Sequence, residues 1–239
     1  MPKQDFEADA KNIKYLELGQ VHRILDCVSS VSKNPVRDIL LIEVMWRTGA
    51  RISEAIQLMA GHILSNEFGN IIRLKNLKQL KKDNNGRYVR ETIIIDGKKK
   101  QRFARDEEAT KEVTVSKKFC RVLLDYCTSN GFRENDYVFP NSRSKTGHTT
   151  RLYVWRILDR ASKKADIRVF GKKNPRSHNI TKGAYPHMLR HSTAMHLLEK
   201  TNNIKLVQQI LGHASVRTTQ VYAYVKTKAI EKQIEEIEW

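Results

Sequence analysis

The chain has 239 residues, with 44 Lys and Arg against 26 Asp and Glu, and its formal net charge is +18. At 40% apolar residues it can bury a core as one domain or two small ones, which argues against a disordered chain. No stretch approaches the about 18–20 consecutive apolar residues of a membrane span. We therefore expect no membrane contact. The three cysteines form no CxxC pair, so we expect no disulfide framework and a reducing compartment, the cytoplasm, with nucleoid association in a prokaryote.

The first half of the chain predicts helices followed by a small sheet. Apolar residues at helical spacing predict helices over 17–32, 36–48 and 52–59, with Gly49 stopping the second. Alternating and β-branched runs within 70–95 predict strands, with turn signals at 83–86 and 96–97. Residues 111–116 close the sheet, which we expect to be antiparallel.

The second half predicts helices again. Their predicted spans are 118–129, 149–165, 185–200, 203–212, 215–225 and 226–239. Thr149 or Thr150 is the expected N-cap of the second of these, and its expected buried stripe is Leu152, Trp155, Leu158 and Ala161. The predicted fold class is therefore mainly α with a small antiparallel β-sheet (α+β).

The positive charge is concentrated in two segments. Residues 71–105 carry twelve basic and three acidic side chains, residues 141–176 carry eleven and two, and the rest of the chain is balanced. Two solvated loops would explain this pattern. A polyanion footprint explains it better, because clustered Lys and Arg displace condensed counterions from nucleic acid.

Four short motifs carry the sequence signal for chemistry. They are TGARISEA around Arg51, the lysine-rich run RLKNLKQ, HMLRH at 187–191, and LGHASVRTTQVY at 211–222. In this order they resemble the catalytic domain of the tyrosine recombinases, the phage integrase family. The resemblance implies DNA cleavage and rejoining through a 3′-phosphotyrosyl intermediate, with Tyr222 as the nucleophile; Tyr224 is the less well-spaced alternative.

The residue types suit that chemistry. Guanidiniums stay charged and bind phosphate oxygens in a fork, so Arg51 and Arg190 are the expected phosphate clamp. His187, three residues before Arg190 on one helix, is the candidate base for the tyrosine, whose phenol has a reference pKa of about 10. His213 is a candidate hydrogen-bond donor to the phosphate. The family places a proton-donating lysine in a β-hairpin, which best matches Lys78, with Lys75 as the second choice.

Other readings of these residues remain open. His187 and His191 have the spacing of two zinc ligands, but the glutamate of HExxH is absent, so we expect no metal and no cofactor. His191 is expected to support the site as a hydrogen-bonded, partly buried residue, and Glu54 to orient an arginine or to pack. A non-catalytic DNA-binding module with the same fold is the alternative function.

The predicted organisation has three parts. Residues 1–17 form a tail or a linker remnant, 18–225 the catalytic domain with a basic hairpin insertion at about 79–110, and 226–239 a helix that docks on a neighbouring subunit or packs on its own domain. The resemblance implies double-stranded DNA as partner, a homotetramer on DNA, and accessory DNA-bending proteins. Integration or excision of a mobile element and resolution of replicon dimers are both open.

Overall fold

The structure, a computed structural model, describes residues 13–67, 69–77, 79–95, 98–106, 108–170, 181–212 and 217–235. The helices are α1 (Leu18–Val31), α2 (Pro35–Thr48), α3 (Ile52–Ala55), α4 (Lys117–Ser129), α5 (Arg151–Lys164), α6 (Pro186–Thr201), α7 (Ile204–Leu211) and α8 (Arg217–Glu235). The strands are β1 (Ile63–Asn66), β2 (Gly69–Lys75), β3 (Arg90–Ile95), β4 (Lys98–Phe103), β5 (Thr110–Thr114), β6 (Val169–Phe170) and β7 (Thr181–Lys182). The predicted mainly helical α+β class is confirmed.

The largest sheet is antiparallel, with strand order β1-β2-β5. In its register Ile72 pairs with Val113, and Leu74 pairs with Lys111. Ile72, Leu74 and Val113 are buried, so this face of the sheet covers the core. Between β2 and β5 the chain inserts the antiparallel hairpin β3–β4, which forms a separate two-stranded sheet.

Two clusters of buried apolar side chains organise the described part of the chain. The larger cluster joins α1, α2, α4, α5 and the main sheet. The smaller lies between α6, α7 and α8, and consists of Ala194, Met195, Leu198, Val207, Leu211 and Tyr222. Since α2 packs on α6, and α6 contacts both α7 and α8, helix α6 connects the two clusters.

Two sequence predictions need correction. In the predicted stripe of α5, Leu158 and Ala161 are buried, but Leu152 and Trp155 are 56% and 38% exposed; Val154 and Ile157 complete the packed face instead. Both sets repeat at helical spacing, and contact with α1 selects the second. The helix predicted over 52–59 covers only Ile52–Ala55, because Leu58 and Met59 instead pair with Val138 and Tyr137.

Other local expectations hold. The Thr150 hydroxyl accepts a hydrogen bond from the Tyr153 backbone N–H and so caps α5. Cys120 and Cys127 are buried thiols and Cys27 is half-buried against the core. Among the described residues, helices that combine the length and the apolar character needed to cross a bilayer are absent.

Candidate active site

Arg51 is positioned by the junction between α2 and α3. Gly49 ends α2 in the left-handed conformation, with φ +60°, and a Cβ there would lie 2.5 Å from Cδ2 of Leu211. Glycine therefore allows the end of α2 to lie directly against α7. Two residues later Arg51 caps the N-terminus of α3.

Glu54 is a fully buried carboxylate that binds two cationic side chains. Its Oε1 lies 2.7 Å from Arg51 Nη1, and its Oε2 lies 3.0 Å from Lys111 Nζ and 3.0 Å from the Arg51 backbone N. Burial alone would raise the pKa of Glu54, but the charge of Lys111 and the hydrogen bonds from Arg51 lower it on balance. Glu54 is thus an ionised anchor, and the prediction that it orients an arginine is confirmed.

Lys111 enters this group from the core-facing side of β5. Its side chain is only 9% exposed, and a Cβ on Gly212 would lie 3.2 Å from its Cδ. Burial lowers the pKa of Lys111; Glu54 opposes that shift, whereas the charges of Arg190 and Arg51 reinforce it. A lysine of this kind holds its proton less tightly than a solvated one, which suits a proton donor.

Arg190 lies buried in the first turns of α6, with 2% of its surface exposed. Its Nη1 donates a hydrogen bond to Gly49 O, and its Nη2 donates one to Leu211 O at 2.7 Å. These carbonyls lie at the C-terminal ends of α2 and α7, where the helix dipoles favour a cation. The pKa of Arg190 falls to about 10 because of burial and of the neighbouring Arg51 charge, so the group stays charged at neutral pH.

Tyr222 lies on α8 beside Arg190 and the histidines of α6. Its hydroxyl is 2.8 Å from His191 Nδ1, and the His187 ring packs edge-on against the His191 ring with centroids 4.9 Å apart. Burial raises the pKa of Tyr222 to about 12, although the charges of Arg190 and Arg51 oppose the rise. Burial lowers the pKa of His191 to about 4, and His187 and Arg190 add to that shift. At neutral pH a protonated phenol therefore meets an uncharged imidazole.

The structure brings four of the six predicted site residues into one region: Arg51, His187, Arg190 and Tyr222. Lys78 and His213 lie outside the described residues. Lys75 alternates with Leu74 and so points away from the Glu54 cluster, toward His62 and Arg73. The expectation that His191 is hydrogen-bonded and partly buried is confirmed.

Sequence reasoning missed Lys111. A signal was present, since Lys111 is in phase with Val113 and Val115 in an alternating strand and therefore occupies an apolar position. A lysine in that phase must be paired, and the partner is Glu54. The pairing of Lys111 with Glu54 could be recognised only from the structure, because the two residues lie 57 positions apart in the sequence.

The sequence of this chain is similar to one protein family and to several named relatives. Residues 14–229 match the phage integrase family. The chain is 29% identical over 233 residues to tyrosine recombinase XerD of Mycobacterium leprae and 30% identical over 218 residues to XerD of Bifidobacterium longum. The alignments cover 92% and 90% of this chain but 59% of each relative, so the chain spans about three-fifths of the length of these curated relatives.

Solved structures show the same fold. The XerH site-specific recombinase in a post-cleavage complex with difH substrate aligns with a TM-score of 0.63 and 22% identity, over 93% of this chain and 52% of that one. The XerA recombinase aligns with a TM-score of 0.59 and 22% identity, over 95% and 66%. With the family match across nearly the whole length, this chain belongs to the phage integrase family, the tyrosine recombinases.

Proposed function

We propose that this chain is the catalytic part of a site-specific recombinase, which cleaves and rejoins double-stranded DNA through a 3′-phosphotyrosyl intermediate on Tyr222. One observation carries the proposal: the Tyr222 phenol lies beside the Arg190 and Arg51 guanidiniums, close enough for their charges to act on its pKa. Two further findings support it. The relatives above are named tyrosine recombinases, and a transposon integrase of the same fold was solved with circular-intermediate DNA.

The chemistry is an exchange of two phosphodiester bonds. The Tyr222 oxygen forms a bond to phosphorus while the bond from phosphorus to the 5′ oxygen breaks, and the charge that develops on the non-bridging oxygens is stabilised by Arg51 and Arg190. Two of the five N–H donors of Arg190 already bind backbone carbonyls, which leaves at most three for a phosphate. The leaving 5′ oxygen takes a proton from a lysine, for which Lys111 now competes with Lys78. His213, predicted from the sequence to donate a hydrogen bond to the phosphate, is the remaining member of the proposed catalytic residues.

The insertion β3–β4 supplies an additional DNA-contacting arm in this proposal. Tyr88 and Phe103 stack edge-to-face at 5.9 Å, and Lys82 and Arg90 each lie 5.2 Å from one of these rings. These contacts order the hairpin while its basic strand β4 exposes Lys99 and Lys100 to solvent. Exposed lysines on an ordered strand fit the phosphate backbone, which needs charge at a fixed place and no base readout.

Assembly follows the same proposal. The chain acts as a homotetramer on DNA, helped by accessory DNA-bending proteins, with the C-terminal part of α8 docking on a neighbouring subunit. Integration or excision of a mobile element and resolution of replicon dimers would both use this chemistry.

Covalent capture tests the proposed function. The chain is incubated with a pool of nicked duplexes that carry a randomised centre, because release of the short fragment beside the nick traps a covalent intermediate. We expect a denaturation-resistant protein–DNA adduct with the wild type and none with Tyr222→Phe, at equal DNA binding. Binding without an adduct in the wild type would instead indicate the non-catalytic DNA-binding module.

A further inference from the structure

The side chain of His191 contacts the hydroxyl of the proposed nucleophile, Tyr222. The 2.8 Å separation between Tyr222 Oη and His191 Nδ1 is a normal hydrogen-bond distance, and the two rings lie 5.7 Å apart. Both groups are held by packing: Tyr222 is 3% exposed within the α6–α7–α8 cluster, and His191 is half-buried on α6. The contact is therefore part of the packing between α6 and α8.

We propose that His191 is the general base that takes the phenolic proton as Tyr222 attacks the phosphodiester; this rests on the proposed function. Donation by the phenol requires the imidazole tautomer with its proton on Nε2, which leaves Nδ1 as the acceptor. The groups facing this imidazole are His187 and Arg190 on its own helix and Tyr222 on α8. Because its surroundings keep His191 neutral, the acceptor is available throughout the neutral range.

The geometry assigns this role to His191 in preference to His187, the base predicted from the sequence. His187 lies in the first turn of α6 and is exposed, and its ring meets the edge of the His191 ring. His187 is thus placed on the solvent side of His191, where a DNA phosphate would approach. A proton acceptor has to lie within hydrogen-bond reach of the proton that it removes, and His191 already does.

The step is balanced. The bond between Tyr222 Oη and phosphorus forms, the bond from phosphorus to the 5′ oxygen breaks, and the phenolic proton moves to His191 Nδ1. The imidazolium so formed is paired with the new phosphodiester anion on the tyrosine, and a lysine protonates the 5′ oxygen. In the rejoining step the 5′ hydroxyl attacks the phosphotyrosine and gives its proton back to the lysine, while His191 returns its proton to the leaving phenolate.

The test separates proton transfer from hydrogen bonding. Asn at position 191 can place an amide oxygen near the Nδ1 position and accept the phenol's hydrogen bond, but it cannot take up the proton. We expect His191→Asn to slow adduct formation on the nicked duplexes about 10²–10⁴-fold at neutral pH while DNA affinity is unchanged. The matched control is His196→Asn, on the same helix beside Trp46, which should cleave at the wild-type rate.

Fluorination of the nucleophile gives the second readout. A ring-fluorinated tyrosine at position 222 ionises at lower pH and depends less on a base. It should therefore raise the adduct rate of His191→Asn at least tenfold while it leaves the rate unchanged or lowers it in a chain with His191. A His191→Asn rate within about twofold of wild type, or a loss that fluorination does not rescue, overturns the proposal. Failure of the wild type itself to form an adduct overturns the proposed function and this inference together.

Discussion

At the scale of single residues, the site is a group of cations held in place by one carboxylate and two backbone carbonyls. Glu54 fixes Arg51 and Lys111, whereas Gly49 O and Leu211 O fix Arg190. Cations in such proximity repel one another, so their positions have to be imposed by the fold. The arrangement is preorganised for an anion, since the cost of gathering the charges is met when the chain folds.

The identity of the proton-donating lysine can be tested with a modified leaving group. A 5′-bridging phosphorothiolate leaves as a thiolate and needs no protonation, so it rescues a variant that lacks only the acid. If Lys111 is the donor, Lys111→Met cleaves ordinary DNA about 10²–10⁴-fold more slowly and recovers with the thiolate substrate. Lys78→Met is the matched comparison, because the sequence alone favours it. Rescue of Lys78→Met but not of Lys111→Met would reverse the assignment.

The depressed pKa of His191 also makes stability depend on pH. Its native pKa is about 4, against an ordinary value of 6.5, so between these values the unfolded chain binds a proton that the native chain does not. The free energy of unfolding therefore falls as the pH falls from 6.5 to 4, with a contribution from this half-buried group of about 1–3 kcal/mol. Denaturant titrations should show a weaker pH dependence for His191→Asn over this range. An unchanged slope would contradict the burial of an uncharged imidazole.

Much of the site could be predicted from residue types in local motifs, and the rest depends on distant contacts. Arg51, His187, Arg190 and Tyr222 stand in short recognisable patterns, and the structure gathers them. The contact between His191 and Tyr222 joins residues 31 positions apart. Its geometry depends on how α8 packs on α6, which spacing along one helix cannot specify.

At the scale of elements, the sequence pattern of the inserted hairpin predicts only one of its two strands. β3 was predicted from its isoleucines, but β4, with the sequence KKKQRF, has few residues of high β propensity and forms a strand because β3 pairs with it. Most of the positive charge on β4 is not needed for folding. Arg102 forms an ion pair with Glu91, but the side chains of Lys99 and Lys100 are exposed to solvent. That surplus positive charge is the basis for the proposal that the hairpin contacts DNA.

Neutralising the exposed basic side chains of the hairpin should weaken DNA binding in a salt-dependent way. For the triple variant Arg87→Gln, Lys99→Gln, Lys100→Gln we expect the slope of log affinity against log salt to fall by about 0.9 for each phosphate that the variant no longer neutralises. Thermal stability should not change, because all three residues are exposed. The control is Lys117→Gln with Lys118→Gln, two exposed lysines at the start of α4. Equal effects of both variants in fluorescence anisotropy titrations would contradict a specific arm.

At the scale of the whole molecule, helix α8 contributes Tyr222 to the site with its first half and exposes residues 227–231 beyond it. Its first half is packed, with Val221 and Tyr222 buried. The Lys226 Nζ donates hydrogen bonds to Leu198 O on α6 and to Oδ1 of Asn202, the C-cap of α6, both at 3.2 Å. From Thr227 to Glu231 the helix is exposed, including the apolar Ile230 at 44%. The proposed nucleophile therefore lies on a helix whose exposed residues 227–231 can contact another subunit.

Removing residues 229–239 should separate assembly from folding. The deleted part lies beyond the Lys226 contacts, so we expect the melting temperature and the binding of one chain to a single DNA site to stay close to wild type. If this segment docks on a neighbouring subunit, its removal should make tetramers on paired sites scarce and abolish strand exchange, since the proposed exchange uses four subunits. Mass photometry of the complexes counts the subunits directly, and Ile230→Lys tests whether the exposed apolar side chain makes the contact. Tetramers of the truncated chain at wild-type abundance would show that α8 packs only on its own domain.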